Sequence, residues 1–398
     1  MFTLMDAMRD TTFVPFCVRF SENRETEYSG YFVDPPGKGV YFKDFDVSLA
    51  DKLRVAADQI YSWQSRQKLD ALLRAVKPDI AYFLNAVYFT DSIVDACASH
   101  GVPVVWRMSD FNKVCASYHF YRDGAVCEEC IHDGILRALK NRCGGNQRSM
   151  AAAAVKVAAM SLSRVRNVYS RVARFVTPSE FTRGKMIQGG FRADRIEHIP
   201  TPAAAASVPA SSAGPERILF VGRITPEKGL DVLIRAFSRL DRAGARLQIV
   251  GDYKSDYAQS LIDAIDPAIR GRVDFLGFRN QEEIETLYRQ CSFFVVPSVW
   301  YENLPNVLLE GMAQGRPVIA SRLGSLVEFV RDGHTGFHFQ AGDDVELADR
   351  MQRLLDSPPL ADRMGLEAWN YVKAHHAPDV HIAKLRAVFE SAIAETAI

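Results

Sequence analysis

Short apolar runs alternate with amphipathic stretches along the second half of this chain. Arg217 to Val221 predicts a strand, and Gly229 to Leu240 repeats Leu230, Leu233, Ile234 and Phe237 at helical spacing. Strands are then expected at Arg246–Val250, Arg272–Leu276, Phe293–Val296 and Pro317–Ala320. Between them the pattern predicts helices at Ser255–Ile265, Gln281–Gln290 and Pro305–Gln314. That order predicts an α/β fold whose parallel sheet is covered on both faces.

The first half repeats the pattern less regularly. Strands are expected at Val40–Phe42, Ile80–Phe83, Val102–Trp106 and Phe175–Thr177, with helices over Leu49–Val76, Asp91–His100 and Met150–Ala173. From Thr201 to Pro215 the chain is small, polar and proline-bearing, as a linker is. The expected organisation is a first domain over 1–199, a linker over 200–215, a second domain over 216–377 and a last helical segment over 378–398. Open parallel sheets bind ligands beyond the carboxyl ends of their strands, so two facing sheets would form a cleft with two walls.

Composition narrows the class. A length of 398 residues, 48% hydrophobic and 24% charged, suits a globular protein of two or three domains. Lys plus Arg is 48 and Asp plus Glu is 48, so no overall field draws the chain to nucleic acid. No apolar run reaches the length of a membrane span. Asp6, Arg9 and Asp10 interrupt the opening apolar stretch, which argues against a signal peptide. The 7 cysteines, an odd number, suit a reducing cytoplasm better than a disulfide framework.

Two motifs carry the chemistry. Phe220-Val221-Gly222-Arg223 closes a strand, and Glu227-Lys228-Gly229 opens the helix after it. Gly222 lets backbone approach a ligand, and Arg223, Lys228 and free helix N–H groups can meet an anion. Alone, this stretch reads equally as a tight turn with a surface ion pair. The second motif is Glu302-Asn303-Leu304-Pro305-Asn306-Val307-Leu308-Leu309-Glu310, which follows a buried strand. Eight residues of helix span roughly 12 Å, more than separates the paired carboxylates of glycoside hydrolases. The two acids therefore hold different parts of an elongated ligand. Cations for a diphosphate and acids for sugar hydroxyls make a nucleotide-sugar site the economical reading.

With these motifs the chain resembles the family 4 retaining glycosyltransferases of the GT-B fold, which have two facing Rossmann-like domains and a deep cleft. Val273 to Gly277, Gly324 to Val330 and Asp332 to Phe337 complete the likeness, which is tight over the second half and loose over the first. The resemblance implies that Arg223 and Lys228 bind the donor diphosphate and Glu310 the ribose. Glu302, with the backbone of Asn303 and Leu304, would hold the transferred sugar. Gly277 and Phe278 would border the base. It implies retained configuration, no metal required for catalysis, and a last helix, Pro378–Glu395, that crosses back to the first domain.

Two departures stand out. Met1 to Asp10 reads as the helix that should follow an opening strand and glycine-rich loop, so either the start is misassigned or truncated, or the first sheet lacks its opening strand. Where the family carries a histidine near the acceptor, this chain has Ser109 and then Asp110. Asp110 could orient a hydroxyl nucleophile or cap a turn. Asp44-Phe45-Asp46 is read as helix capping rather than a metal site.

Cys127-Glu128-Glu129-Cys130 has metal-ligand spacing, and Cys115 and Cys143 flank it. A structural zinc on this set and scattered buried thiols are equally open readings. From Gly134 to Ser179 there is no acid, only Arg137, Lys140, Arg142, Arg148, Lys156, Arg164, Arg166, Arg171 and Arg174. Such a segment suits an anionic membrane surface. The expected protein is a cytoplasmic, peripherally membrane-bound transferase acting on a glycan or lipid-linked acceptor of surface polysaccharide synthesis. Two alternatives are a nucleotide-sugar epimerase of the same fold and a non-catalytic sugar-nucleotide-binding subunit.

Overall fold

The computed structural model describes residues 8, 10–19, 25–34, 48–84, 86, 89–144, 147–211, 214 and 216–396. The strand expected at Val40–Phe42, the Asp44-Phe45-Asp46 motif, most of Met1–Asp10 and Ser212, Ala213 and Pro215 of the linker lie outside these residues.

The first sheet is built from β1 (Ala81–Phe83) and β2 (Val104–Arg107), then β7 (Arg174–Thr177) and β8 (Ile196–His198), in that order and all parallel. Its central strands carry Val104, Val105, Trp106, Phe175 and Val176, all buried, as strands covered on both faces require. Between β2 and β7 two small hairpins intervene, β3 (Tyr121–Arg122) with β4 (Ala125–Val126) and β5 (Cys143–Gly144) with β6 (Gln147–Arg148). Asp123 and Gly124 turn the first hairpin with φ of 54° and 83°, the mirror-image turn that Asp-Gly favours.

Two helices differ from expectation because of local backbone chemistry. The single helix expected over Leu49–Val76 is two, Leu49–Ile60 and Trp63–Val76, because the Ser62 hydroxyl accepts the Ser65 N–H and starts the second. The helix expected to reach Ala173 ends at Val165, since Asn167 adopts a left-handed φ of 50°. The last helix, Pro378–Thr396, lies against the first sheet. Its Leu385, Phe389 and Ala392 are buried with Val105, Val176 and Ile199, and Arg174 is ion-paired with Glu395.

The second sheet holds six parallel strands, β9 (Arg217–Val221), β10 (Arg246–Val250), β11 (Val273–Gly277), β12 (Phe293–Val296), β13 (Val318–Ser321) and β14 (Gly336–Phe339). Their spatial order is β11-β10-β9-β12-β13-β14. This is the 3-2-1-4-5-6 order of a dinucleotide-type sheet, and the order reverses between β9 and β12. The two carboxyl ends at that reversal are where a ligand crevice must open. The linker is pinned along the second domain: Ala206 N–H donates to Ala313 O at 2.9 Å, and the Trp369 indole donates to Ala206 O at 2.8 Å.

Candidate active site

The chain leaving β9 and the chain leaving β12 meet at Lys228 and Glu302. Glu302 is only 5% exposed, and its Oε1 accepts Lys228 Nζ at 2.6 Å, Ser298 Oγ at 2.6 Å and the Trp300 indole N–H at 2.8 Å. Lys228 also lies 5.1 Å over the Trp300 ring. Gly229 makes this meeting sterically possible. It holds a left-handed φ of 67°, and a Cβ there would stand 2.0 Å from the Pro297 carbonyl oxygen. Gly251, at the end of β10, is just as constrained: a Cβ there would lie 2.2 Å from the Gly222 oxygen.

Arg223 follows Gly222 at the mouth of the crevice, where its largely exposed guanidinium lies 3.5 Å from Glu227. Glu227 is itself held by Thr225 Oγ1 at 2.8 Å. Phe278 follows Gly277, whose φ is 74°, at the end of the edge strand β11, and is 82% exposed. Glu310 lies in the helix Asn306–Ala313, which starts one residue later than expected with Pro305 as its cap. Its carboxylate makes no hydrogen bond or ion pair among the described residues. Burial, with Glu285 nearby, raises its pKa.

The structure thus brings Lys228 and Glu302 into direct contact, sets Arg223 beside Glu227, and leaves Glu310 unpartnered on its own side. Asn303 does something sequence reasoning missed. Its side chain donates to Met108 O at 3.0 Å and accepts from Thr182 Oγ1, while its carbonyl accepts Ser179 Oγ at 3.1 Å. Met108 follows β2 and Ser179 and Thr182 follow β7, so the Glu302 loop is fastened to the first domain. Tyr301 adds to this, stacking edge-on to Phe181 at 4.7 Å. Glu328 caps the helix Glu180–Gln188 from the second domain, accepting the Glu180 and Phe181 N–H groups at 3.0 and 3.1 Å. Leu304 is partly buried against the second domain's core, and its N–H and that of Asn303 find no partner among the described residues.

On the first-domain side, Asp110 Oδ1 accepts the Asn112 N–H at 2.8 Å, the turn-capping geometry. Burial raises its pKa. Ser109 Oγ donates to Leu84 O at 2.9 Å.

The zinc expectation finds no support. Among the described residues no group of three or more His, Cys, Asp or Glu side chains is placed to hold a metal ion. Cys115 Sγ lies 3.3 Å from Ser117 Oγ, Cys143 Sγ donates to Asn141 O, and burial pushes the Cys130 thiol up to about 12. With Cys127 they are free thiols. The cationic segment is also less available than its composition suggests. Arg166 and Arg171 pair with Asp95 at 2.7 and 2.8 Å, and Arg174 pairs with Glu395. Lys140, Arg142 and Arg164 remain exposed, as do Leu136, Met150 and Val165. No helix among the described residues is long and apolar enough to cross a membrane.

Comparison with known proteins covers the segment that carries these residues. Residues 215–357 match the family model for glycosyl transferases group 1. The chain is 36% identical over 155 residues to the alpha-D-kanosaminyltransferase of Streptomyces kanamyceticus, covering 38% of this chain and 39% of that one. It is 36% identical over 185 residues to the D-inositol 3-phosphate glycosyltransferase of Nocardia farcinica, covering 44% of this chain and 41% of that one. The matches therefore span well under half the length of these relatives. In fold the likeness is wider: the Anabaena protein HepE, crystallised with UDP, superposes with a TM-score of 0.62 over 82% of both chains at 18% identity. The fold is GT-B, with two Rossmann-like domains and parallel sheets.

Proposed function

We propose that this protein is a retaining glycosyltransferase that moves a sugar from a nucleoside diphosphate to a glycan or lipid-linked acceptor. The observation that carries this reading is the buried Glu302 carboxylate, gripped by Lys228, Ser298 and Trp300 where the strand order of the second sheet reverses. A diphosphate entering between β9 and β12 meets Lys228 and Arg223. The unpaired N–H groups of Asn303 and Leu304 and the unpartnered Glu310 then offer a donor and an acceptor surface to the sugar and ribose. Charge developing on the leaving diphosphate is met by fixed cations, so the step needs no divalent ion. Glu302 faces the opposite charge, the positive character that grows on the migrating sugar.

The relatives' names support transfer of a sugar, and the UDP bound by HepE supports a nucleotide donor. In this proposal the second domain binds the donor and the first binds the acceptor, with Asp110 near the acceptor. The exposed Lys140, Arg142 and Arg164 with Leu136, Met150 and Val165 suit an anionic membrane carrying a lipid-linked surface-polysaccharide precursor, on the cytoplasmic face.

Titration with UDP- and GDP-sugars, followed by release of the nucleoside diphosphate and NMR of the product anomer, tests the reading. Retained configuration and turnover that falls about 100-fold in Glu302→Gln are expected, the size of one preorganised electrostatic contact. Binding without turnover under every acceptor would favour a non-catalytic subunit. An epimerised sugar nucleotide formed without acceptor would favour the epimerase.

A further inference from the structure

Between β2 and the helix Met150–Val165, a segment of the first domain reaches the loop after β12 in the second. His119 lies in that segment. Its ring centroid is 5.5 Å from that of Trp300, the residue that also donates to Glu302. Tyr118 and Tyr121 brace the same ring at 4.8 and 6.3 Å. The nearby charges are those of Glu227 and Arg223, both on the loop after β9. His119 therefore belongs to the first domain by chain and to the nucleotide crevice by position.

The ring's chemistry is set by one hydrogen bond. Nδ1 accepts the Tyr121 backbone N–H at 3.2 Å, so a neutral ring carries its proton on Nε2. Burial lowers the His119 pKa, which keeps the ring neutral near pH 7. No protein acceptor takes the Nε2–H among the described residues. The backbone around it is held against its preference: Tyr118 and Phe120 have φ of 60° and 50°, in the region that bulky residues avoid. Such geometry persists only where packing imposes it. Here Phe120 supplies that packing, fully buried beside Phe111 and Tyr301 at ring distances of 5.0 and 6.2 Å.

A neutral, fixed N–H donor suits a hydroxyl. The phosphates already have Arg223 and Lys228, whose charge makes stronger hydrogen bonds to them than an imidazole can. We propose that His119 is a donor-binding residue whose Nε2–H hydrogen-bonds a hydroxyl of the transferred sugar, across the crevice from Glu302. It rests on the reading of this crevice as a nucleotide-sugar site. The consequence is specificity, because a site built to hydrogen-bond a hydroxyl rejects an analogue lacking it.

The test compares binding of UDP-glucose, UDP-N-acetylglucosamine and GDP-mannose with that of UDP and GDP alone. In His119→Phe, affinity for the preferred sugar nucleotide should fall about tenfold, one lost hydrogen bond, while affinity for the bare diphosphate holds. His119→Gln keeps an N–H at a similar reach and should recover to within about threefold. In the wild type, the His119 ring nitrogen resonances should shift with the sugar nucleotide and not with the diphosphate, a readout independent of any variant's folding. Equal losses in His119→Phe and His119→Gln, an unchanged sugar-to-diphosphate affinity ratio, or identical shifts with both ligands would overturn the inference and leave the site reading intact. If the wild type binds none of the five compounds, the site reading itself fails and takes this inference with it.

Discussion

The Lys228–Glu302 pair can be measured by a double-mutant cycle on stability. At 2.6 Å the gross attraction is roughly 6 kcal/mol with an effective dielectric of about 20. Much of that is offset by the desolvation of both groups, whose side chains are 18% and 7% exposed. Removing one partner leaves the other charge without compensation, and the cost should approach about 3 kcal/mol. Glu302→Gln keeps an oxygen for Ser298 and Trp300 but strands the ammonium. Lys228→Met keeps the stem over the Trp300 ring but strands the carboxylate. The double variant removes both charges, so it should cost well under the sum, with a coupling of about 2 kcal/mol. Urea denaturation of all four proteins at pH 7 gives the cycle.

The same pair predicts ligand behaviour of opposite sign for the two partners. A diphosphate that binds Lys228 competes with Glu302 for the same ammonium. Glu302→Gln removes the competitor and should leave UDP affinity equal or tighter. Lys228→Met removes a charged hydrogen bond and should weaken UDP by about tenfold or more. A coupling under about 0.5 kcal/mol, the scatter expected of independent sites, would show that the contact does not persist in solution. A Glu302→Gln protein that binds UDP more weakly than Lys228→Met would refute the competition argument.

Other positions give sharp expectations. Gly229→Ala places a Cβ 2.0 Å from Pro297 O at a φ of 67°, so it should cost more than about 2 kcal/mol and lower the thermal midpoint, whereas a change within about 0.5 kcal/mol would contradict the packing. Glu310→Gln removes a half-buried carboxylate that lacks a partner, so stability by urea titration should hold or rise while UDP affinity falls about fivefold. Burial holds His376 down at about 4, against an ordinary value of about 6.5, with Nδ1 at 2.8 Å from Thr201 O. Its folded form binds a proton less readily than the unfolded chain, so its contribution is full above pH 6.5 and is lost as pH falls towards 4. Between pH 7.5 and 5 that loss is about 2 kcal/mol, and His376→Gln should flatten this limb of the stability profile.

The second domain was legible because its strands are short apolar runs with helical periods between them. Gln281–Gln290 and Phe293–Val296 fall on the residues that periodicity predicts. Strand β14 was missed because Gly336-Phe337-His338-Phe339 is four residues long and carries a histidine, whose Nε2 lies 2.9 Å from the Val330 carbonyl oxygen of a neighbouring segment. In the first domain, β8 escaped for a related reason: Ile196-Glu197-His198 shows one apolar residue in three. Long-range pairing, not local pattern, makes these segments strands.

The site divides along the same line. Lys228 and Glu302 could be singled out because a loop after each of two strands carried charge next to a glycine or a proline. What could not be read was that they touch, since residues 74 positions apart are joined only by the strand order that sets β9 beside β12. Asn303 is the clearest case. Its neighbours in sequence suggest a ligand contact, yet its side chain spans to Met108, 195 positions away, and to Thr182. The residues that hold the Glu302 loop are therefore also those that fix the two domains against each other. An Asn303→Ala variant should cost about 1–2 kcal/mol for its lost hydrogen bonds and lower turnover through a loosened Glu302 loop, with UDP affinity nearly unchanged. Turnover and UDP affinity falling together would place Asn303 on the nucleotide instead. Stability and turnover both unmoved would mean that the remaining contacts hold the loop without the Asn303 side chain: Tyr301, Ser179 on the Asn303 carbonyl, and Ser325 through its 2.7 Å hydrogen bond to Glu302 O.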